Sequence, residues 1–378
     1  MTHCMEVLGL LRPIDRIAAK GAMRTMPCPV CLSPSTDEVI RSHSIIAAAE
    51  HFVPAARSLD RNKRLIEILN RLWKGAQSVE VHRCRSCGFG FPIPYVAGDI
   101  EFYNVAYGES HYPRDRWEFR QTIAALELRN GSGALLEVGA GEGWFLKMLQ
   151  AGRLGKRYGM EALEYDRAAI MKLQHRGFTA REGSIADLLN EPSQERRFAV
   201  ICLFQTLEHM DRIDDAFRAL RYLLADGGSI FISVPFGPGI DEQERVVEFW
   251  DMPPVHVGRW LANCFEIIAA RHGLRVVEGR TGPPLSRTRQ AWHRALSSVA
   301  ARATRPGTVD HRINAVAYRP VRGALKLLAA GVRMPRMWLV DPIEETLWVH
   351  LSDEKRVRKA DAKTIGGLKG AYDGEAGT

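Results

Sequence analysis

Leu135-Leu136-Glu137-Val138-Gly139-Ala140-Gly141-Glu142-Gly143-Trp144-Phe145 runs an apolar strand into a helix through a turn in which every second residue is glycine. Gly139 and Gly141 can take backbone angles closed to other residues. A turn without side chains leaves room for an adenosine moiety at the carboxyl end of a sheet. The spacing is GxGxG. A dinucleotide fingerprint needs its third glycine where this chain has Trp144, which disfavours close packing on a pyrophosphate. Twenty-four residues after Glu137, the run Gly159-Met160-Glu161 closes a second apolar segment. A carboxylate there can accept two hydrogen bonds from ribose hydroxyls, which makes Glu161 the expected ribose ligand and Glu164 and Asp166 its weaker substitutes.

Outward from this turn, residues 115–280 alternate short apolar runs with amphipathic stretches, the pattern of a parallel sheet covered on both faces. Strands are expected at Leu135 to Val138, Arg157 to Glu161, Phe198 to Phe204, Ser229 to Val234 and Leu274 to Glu278. Helices are expected near Trp144 to Gln150, Arg167 to His175, Ile213 to Leu224 and Arg259 to His272. Residues 281–340 are basic and helix-prone, and Glu345 to Leu351 alternates as a late strand, so the basic stretch reads as an insertion between the last two strands. The divisions read from the chain are a leader (1–25), a cysteine-bearing module (26–95), a nucleotide-binding core (96–280), the basic insertion (281–340), the late strand (341–352) and a flexible tail (353–378).

Cys28-Pro29-Val30-Cys31 and Cys84-Arg85-Ser86-Cys87-Gly88 are two CxxC knuckles, and four thiolates suit a tetrahedral zinc ion. The intervening stretch carries a helical insert at Arg61 to Lys74 with Leu65, Ile66, Ile68, Leu69, Leu72 and Trp73 on one broad face, and it leaves His43, His51 and His82 as alternative ligands. An odd count of seven cysteines with two close pairs favours metal binding in a reducing cytoplasm over a disulfide framework. The composition, 46% hydrophobic and 25% charged with no long uncharged apolar run, is that of a soluble protein without a membrane span. A net charge of +8 is compatible with a nucleic-acid partner. Its excess is spread over segments such as Arg280 to Arg289 and Lys355 to Lys359, which reads better as solvated surface.

The glycine turn resembles the first motif of the class I S-adenosylmethionine-dependent methyltransferases. Two later stretches continue the likeness. Phe198 to Met210 is similar to that family's fourth strand with its Leu-Glu-His signature, and Leu223 to Pro235 is similar to its fifth strand. The resemblance implies an α/β, Rossmann-like sheet with helices on both faces, here with a small N-terminal zinc-binding module and a helical C-terminal insertion. It implies that Glu137 and the loop Gly139, Ala140, Gly141 and Gly143 hold the methionine part of the cofactor, and that Glu161 holds the ribose. Ser184 and Ile185 would meet the adenine, with Asp187 as a substitute where the family often has an acid, and Phe204 and Gln205 would lie near the sulfonium.

With the knuckles in front, the order over residues 26–280 resembles bacterial zinc-containing methyltransferases that include sugar C-methyltransferases. That likeness implies a structural zinc on Cys28, Cys31, Cys84 and Cys87, and a lid carrying Tyr107 and Tyr112. His209, His256 and His111 are the candidate bases. The expected activity is methyl transfer to a small-molecule acceptor: a sugar, a nucleotide-sugar or a biosynthetic intermediate. An RNA methyltransferase gripping phosphate with its zinc module and basic surface is the alternative, and a non-catalytic binding protein of the same fold is a third.

Overall fold

The computed structural model describes residues 26–34, 38–107, 113–246, 252–284, 286–303, 307–316, 318–339 and 344–353. The expected leader and residues 354–378 of the expected tail, together with His111 and Tyr112, lie outside them, while Asp353, read as the start of that tail, is the buried last residue of a strand.

Among the described residues ten strands form two sheets. β1 (Glu38–Ser44), β2 (Ser78–Arg83) and β3 (Gly90–Ile93) make an antiparallel sheet in that order. The larger sheet contains β4 (Gly133–Val138), β5 (Tyr158–Glu164), β6 (Thr179–Glu182), β7 (Phe198–Phe204), β8 (Leu224–Pro235), β9 (Leu274–Thr281) and β10 (Thr346–Asp353). Its order is β6-β5-β4-β7-β8-β10-β9, and β10 runs antiparallel to both its neighbours. The order reverses beside β4, which pairs in parallel with β5 on one side and β7 on the other. A crevice at the carboxyl ends of such strands is where open α/β sheets bind ligands.

The period-two alternation of strand side chains builds two cores. Leu136, Val138, Ile201, Leu203, Ile230 and Ile232 face the helices Ile213–Leu223 and Ala262–Arg271. Leu135, Val200, Cys202 and Phe231 face the helices Trp117–Glu127 and Trp144–Ala151. β10 lies between β8 and β9 and is buried from Leu347 to Asp353, so the alternation expected of it is not a wet-and-dry one. Trp348 on this strand donates its indole N–H to Thr122 Oγ1 at 2.9 Å.

Two boundaries differ from the sequence reading. β5 continues three residues past Glu161, because Ala162 and Leu163 are buried and hydrogen-bonded between β4 and β6. The last core helix begins at Ala262 rather than Arg259, because the backbones of Arg259 and Trp260 are bonded to Gly90 and Gly237. Between β9 and β10 in the chain lie the helices Arg287–Ala303, Val309–Asn314 and Arg319–Trp338. Here the buried Asp310 accepts from Arg333 Nη2 at 2.5 Å and pairs with Arg302 at 3.3 Å.

The knuckles share the first core. Cys28, Val30, Cys84, Cys87, Phe89 and Phe91 pack in one cluster with Trp260, Phe265 and Ile268. Phe89 meets Trp260 edge-on at 4.8 Å, Gly90 and Arg259 exchange backbone hydrogen bonds at 3.0 and 2.8 Å, and Arg271 Nη1 donates to Val30 O at 2.6 Å. The helix Leu59–Leu72, started by the Ser58 cap, turns Leu65, Ile68, Leu69 and Leu72 against Phe102, Met252 and Val255.

Candidate active site

The glycine turn holds Gly139, Gly141 and Gly143 at φ of +67°, +51° and +74°, angles that disfavour a side chain. At Gly139 a Cβ would also stand 2.5 Å from Thr206 Oγ1. Thr206 donates to Val138 O at 3.4 Å, which sets the end of β7 against the turn.

Glu164 anchors the turn from β5. Its Oε2 accepts from Gly141 N at 2.6 Å, and its Oε1 accepts from the Tyr165 and Asp166 amides at 2.7 and 3.1 Å. Glu161 sits elsewhere. It lies three residues, roughly 10 Å, back along the strand, paired with Leu136 in register, and its carboxylate is held by the Arg197 guanidinium. The structure therefore puts Glu164, not Glu161, at the carboxyl end of the strand.

Glu137 is buried, and burial, reinforced by Glu164, pushes its carboxyl group well above the usual carboxylate range. Its Oε2 has no hydrogen-bond partner among the described residues, and neither does the buried Gln205 Nε2. Gln205 follows β7 with φ of +53°, a strained angle for a non-glycine residue, and its amide is tied to Ser233 O at 2.8 Å. Phe204 turns its ring into the core, against Phe145 at 4.8 Å and Phe119 at 5.1 Å. Ser184 and Asp187 form a reciprocal cap: Ser184 N donates to Asp187 Oδ2 at 2.7 Å and Asp187 N to Ser184 Oγ at 3.3 Å. Ile185 is buried. Tyr165, half exposed beside Glu164, was missed, because the strand was taken to end before it.

Past β7 the turn Leu207–His209 brings two expected histidines together. The rings of His209 and His256 are 4.7 Å apart, edge to face. His209 Nδ1 lies 2.7 Å from Val255 O, so this nitrogen carries a proton and donates it. Nε2 is 3.9 Å from Oε1 of the fully buried Glu208. Backbone amides of Val257 and Gly258 donate to Glu208 O at 2.8 and 3.2 Å, locking the two segments together. The helix Ile100–Ala106 reaches over this group. Tyr103, which sequence reasoning missed, places its hydroxyl 3.3 Å from His209 Nδ1, and Tyr107 stacks on Tyr103 with ring centroids 6.0 Å apart.

The four cysteines expected to bind metal converge. Cys28 and Cys87 Sγ are 3.6 Å apart, as are Cys31 and Cys84 Sγ, and all four lie within 4.8 Å of one another. Sulfurs on one tetrahedral zinc, at Zn–S of about 2.3 Å, stand about 3.8 Å apart. His43, His51 and His82 are not part of this cluster.

The sheet order, the single reversed strand and the glycine turn define the class I methyltransferase fold. Residues 111–278 match a family model described as a methyltransferase domain. The matched residues form a methyltransferase domain. Among solved structures, a putative sarcosine dimethylglycine methyltransferase from Galdieria sulphuraria is similar at 14% identity and a TM-score of 0.39, with 62% of this chain and 83% of that one covered. An S-adenosylmethionine-dependent methyltransferase from Archaeoglobus fulgidus is 12% identical at a TM-score of 0.40, covering 62% and 94%. A phosphoethanolamine N-methyltransferase from Haemonchus contortus is 11% identical at 0.41, covering 67% and 56%. No curated protein matches the chain in sequence. Among the described residues, no helix is long and apolar enough to cross a membrane.

Proposed function

We propose that the chain transfers a methyl group from S-adenosylmethionine to a small-molecule acceptor, a sugar, nucleotide-sugar or biosynthetic intermediate, with zinc held structurally by the four cysteines. The observation that carries this reading is the placement of a side-chain-free turn and a histidine pair at the carboxyl edge of the same two strands, β4 and β7.

The residues fit the cofactor. The turn would hold the methionine part, Glu164 would accept from the ribose, and Tyr165 and the Ser184–Asp187 cap would flank the adenine. The orphaned Glu137 Oε2 and Gln205 Nε2 offer polar atoms to ligand or ordered water. The cofactor supplies an electrophilic methyl group on a sulfonium. For an acceptor that carries a proton, His209 takes it at Nε2 as the new bond to carbon forms, and the Val255 carbonyl holds the ring in the required tautomer. Tyr103 and Tyr107 stack beside His209 at this end of the site, where an aromatic face could meet a small acceptor. Part of the basic surface is engaged within the insertion, where Arg302 and Arg333 meet Asp310 and Lys326 donates to Asn314, which weighs against the phosphate-gripping alternative. Four thiolates would fill all the positions of a tetrahedral zinc, which would give that ion a structural role.

Titration with S-adenosylhomocysteine by calorimetry tests the reading, and methyl transfer from labelled cofactor to sugar and nucleotide-sugar pools, against total RNA, tests the acceptor. Binding in the micromolar range (about −8 kcal/mol) and label in the small-molecule pool are expected. Failure to bind would sink the enzyme reading, and label in RNA would replace the acceptor class.

A further inference from the structure

The geometry points to a second metal site, for a first-row divalent cation held by Glu208, His209 and His256, which receives the acceptor's oxygen. This inference rests on the methyltransferase reading and names how that site takes its acceptor. One carboxylate oxygen and one nitrogen from each imidazole lie within 4.8 Å of one another, with Glu208 Oε1 3.9 Å from His209 Nε2. Ligands at about 2.1 Å from one octahedral ion are roughly 3 to 4.2 Å apart, so small side-chain shifts bring the three onto one ion.

The donors come from two chain segments, and two backbone bonds from Val257 and Gly258 to Glu208 O fix them against each other. His209 is oriented as metal-ligating imidazoles commonly are: its Nδ1–H donates to the Val255 carbonyl, and its Nε2 lies on the side of Glu208. Two imidazoles and a carboxylate suit manganese, iron or zinc better than magnesium, and they leave about three of six octahedral positions open. Glu208 and His209 closely follow Thr206, which packs against the glycine turn. With the ion bound, His209 Nε2 is its ligand and the proton-accepting role of that nitrogen passes to solvent: an acceptor hydroxyl on the ion would lose its proton more readily, because the cation stabilises the oxyanion. The nitrogen and oxygen donors also separate this site chemically from the four soft thiolates of the knuckles.

The test uses the full-length zinc-loaded protein and Mn²⁺, a hard ion that avoids thiolates, followed by loss of the free-ion paramagnetic resonance signal. One Mn²⁺ per chain is expected. Binding should weaken at least tenfold in Glu208→Gln and in His256→Asn, while S-adenosylhomocysteine affinity and bound zinc stay within about threefold of native. Should Glu208→Gln not fold, the less buried His256→Asn carries the comparison. Absence of Mn²⁺ binding by the native protein, or equal binding by the folded variants, overturns the site. Because the cofactor product is titrated separately, loss of the metal proposal alone is distinguishable from loss of the methyltransferase reading.

Discussion

Glu164→Gln and Glu161→Gln, compared in one titration, separate two carboxylates that lie three positions apart on one strand. A carboxylate offers about four acceptor directions, and the amides of Gly141, Tyr165 and Asp166 occupy three at Glu164. The remaining one is available to ribose. A hydrogen bond to a charged acceptor is worth about 1.5–3 kcal/mol, which at 1.4 kcal/mol per factor of ten is roughly a 10- to 150-fold rise in the Kd for S-adenosylhomocysteine. Glutamine also turns an NH₂ toward one of the three backbone donors, so unfolding free energy should fall by about 1–3 kcal/mol. Glu161 has a different neighbour, the Arg197 guanidinium, with side-chain exposures of 14% and 35%. A partly exposed pair of this kind contributes about 0–1 kcal/mol, and its loss should leave cofactor affinity within about twofold. Calorimetry on both variants, with urea unfolding as a control, decides the matter. A tenfold loss in Glu161→Gln with Glu164→Gln unchanged would refute the placement of ribose at the end of β5.

Gly139→Val should abolish detectable S-adenosylhomocysteine binding while the chain still folds. The left-handed angle costs about 1–2 kcal/mol and the added Cβ meets Thr206, so the turn must move; native-like affinity would refute the close approach of backbone to ligand. Metal analysis should return one zinc per chain in the native protein and none in Cys84→Ser. That variant should lose several kcal/mol of stability, and an unchanged melting temperature would refute a structural ion. Burial holds the His350 imidazole at about 3, below its ordinary 6.5, so between these values the unfolded chain takes up a proton that the folded chain refuses. This stability is fully present above pH 6.5 and is lost as pH falls, by about 2 kcal/mol at pH 5. His350→Asn should therefore destabilise less between pH 7 and pH 5 than the native protein does in urea unfolding, and identical pH dependence would refute the assignment.

The fold was legible where burial writes a strong pattern. The runs at Phe198 to Phe204 and Ser229 to Val234 are continuous apolar segments because both faces of their strands are covered, and the glycines of the turn are demanded by backbone angle. β6 was not legible, for Thr179–Glu182 is a short, half-exposed edge with no apolar run. The end of β5 was misplaced because Glu161 interrupts the pattern while Arg197 from outside the strand satisfies it. Ion pairing of that kind has no local sequence signature. Tyr103 was missed for a similar reason, since its helix reaches His209 only through tertiary packing.

The same packing gives the cysteine module a route to the chemistry. Phe89, one residue past the second knuckle's Gly88, touches Trp260, and Gly90 pairs with Arg259. The segment from His256 to Trp260 is therefore fastened at one end to the knuckles and at the other, through Val257 and Gly258, to Glu208. Loss of the ion loosens Cys84 and Cys87 first, then the Phe89–Trp260 contact, and only then the segment that holds His256 beside His209. A zinc-free chain should accordingly lose order at the histidine pair while β4, β5 and the Glu164 clamp, held by their own strand pairing and backbone hydrogen bonds, keep theirs. On this argument cofactor binding survives zinc removal better than methyl transfer does, and the cysteines act on catalysis through the position of one loop.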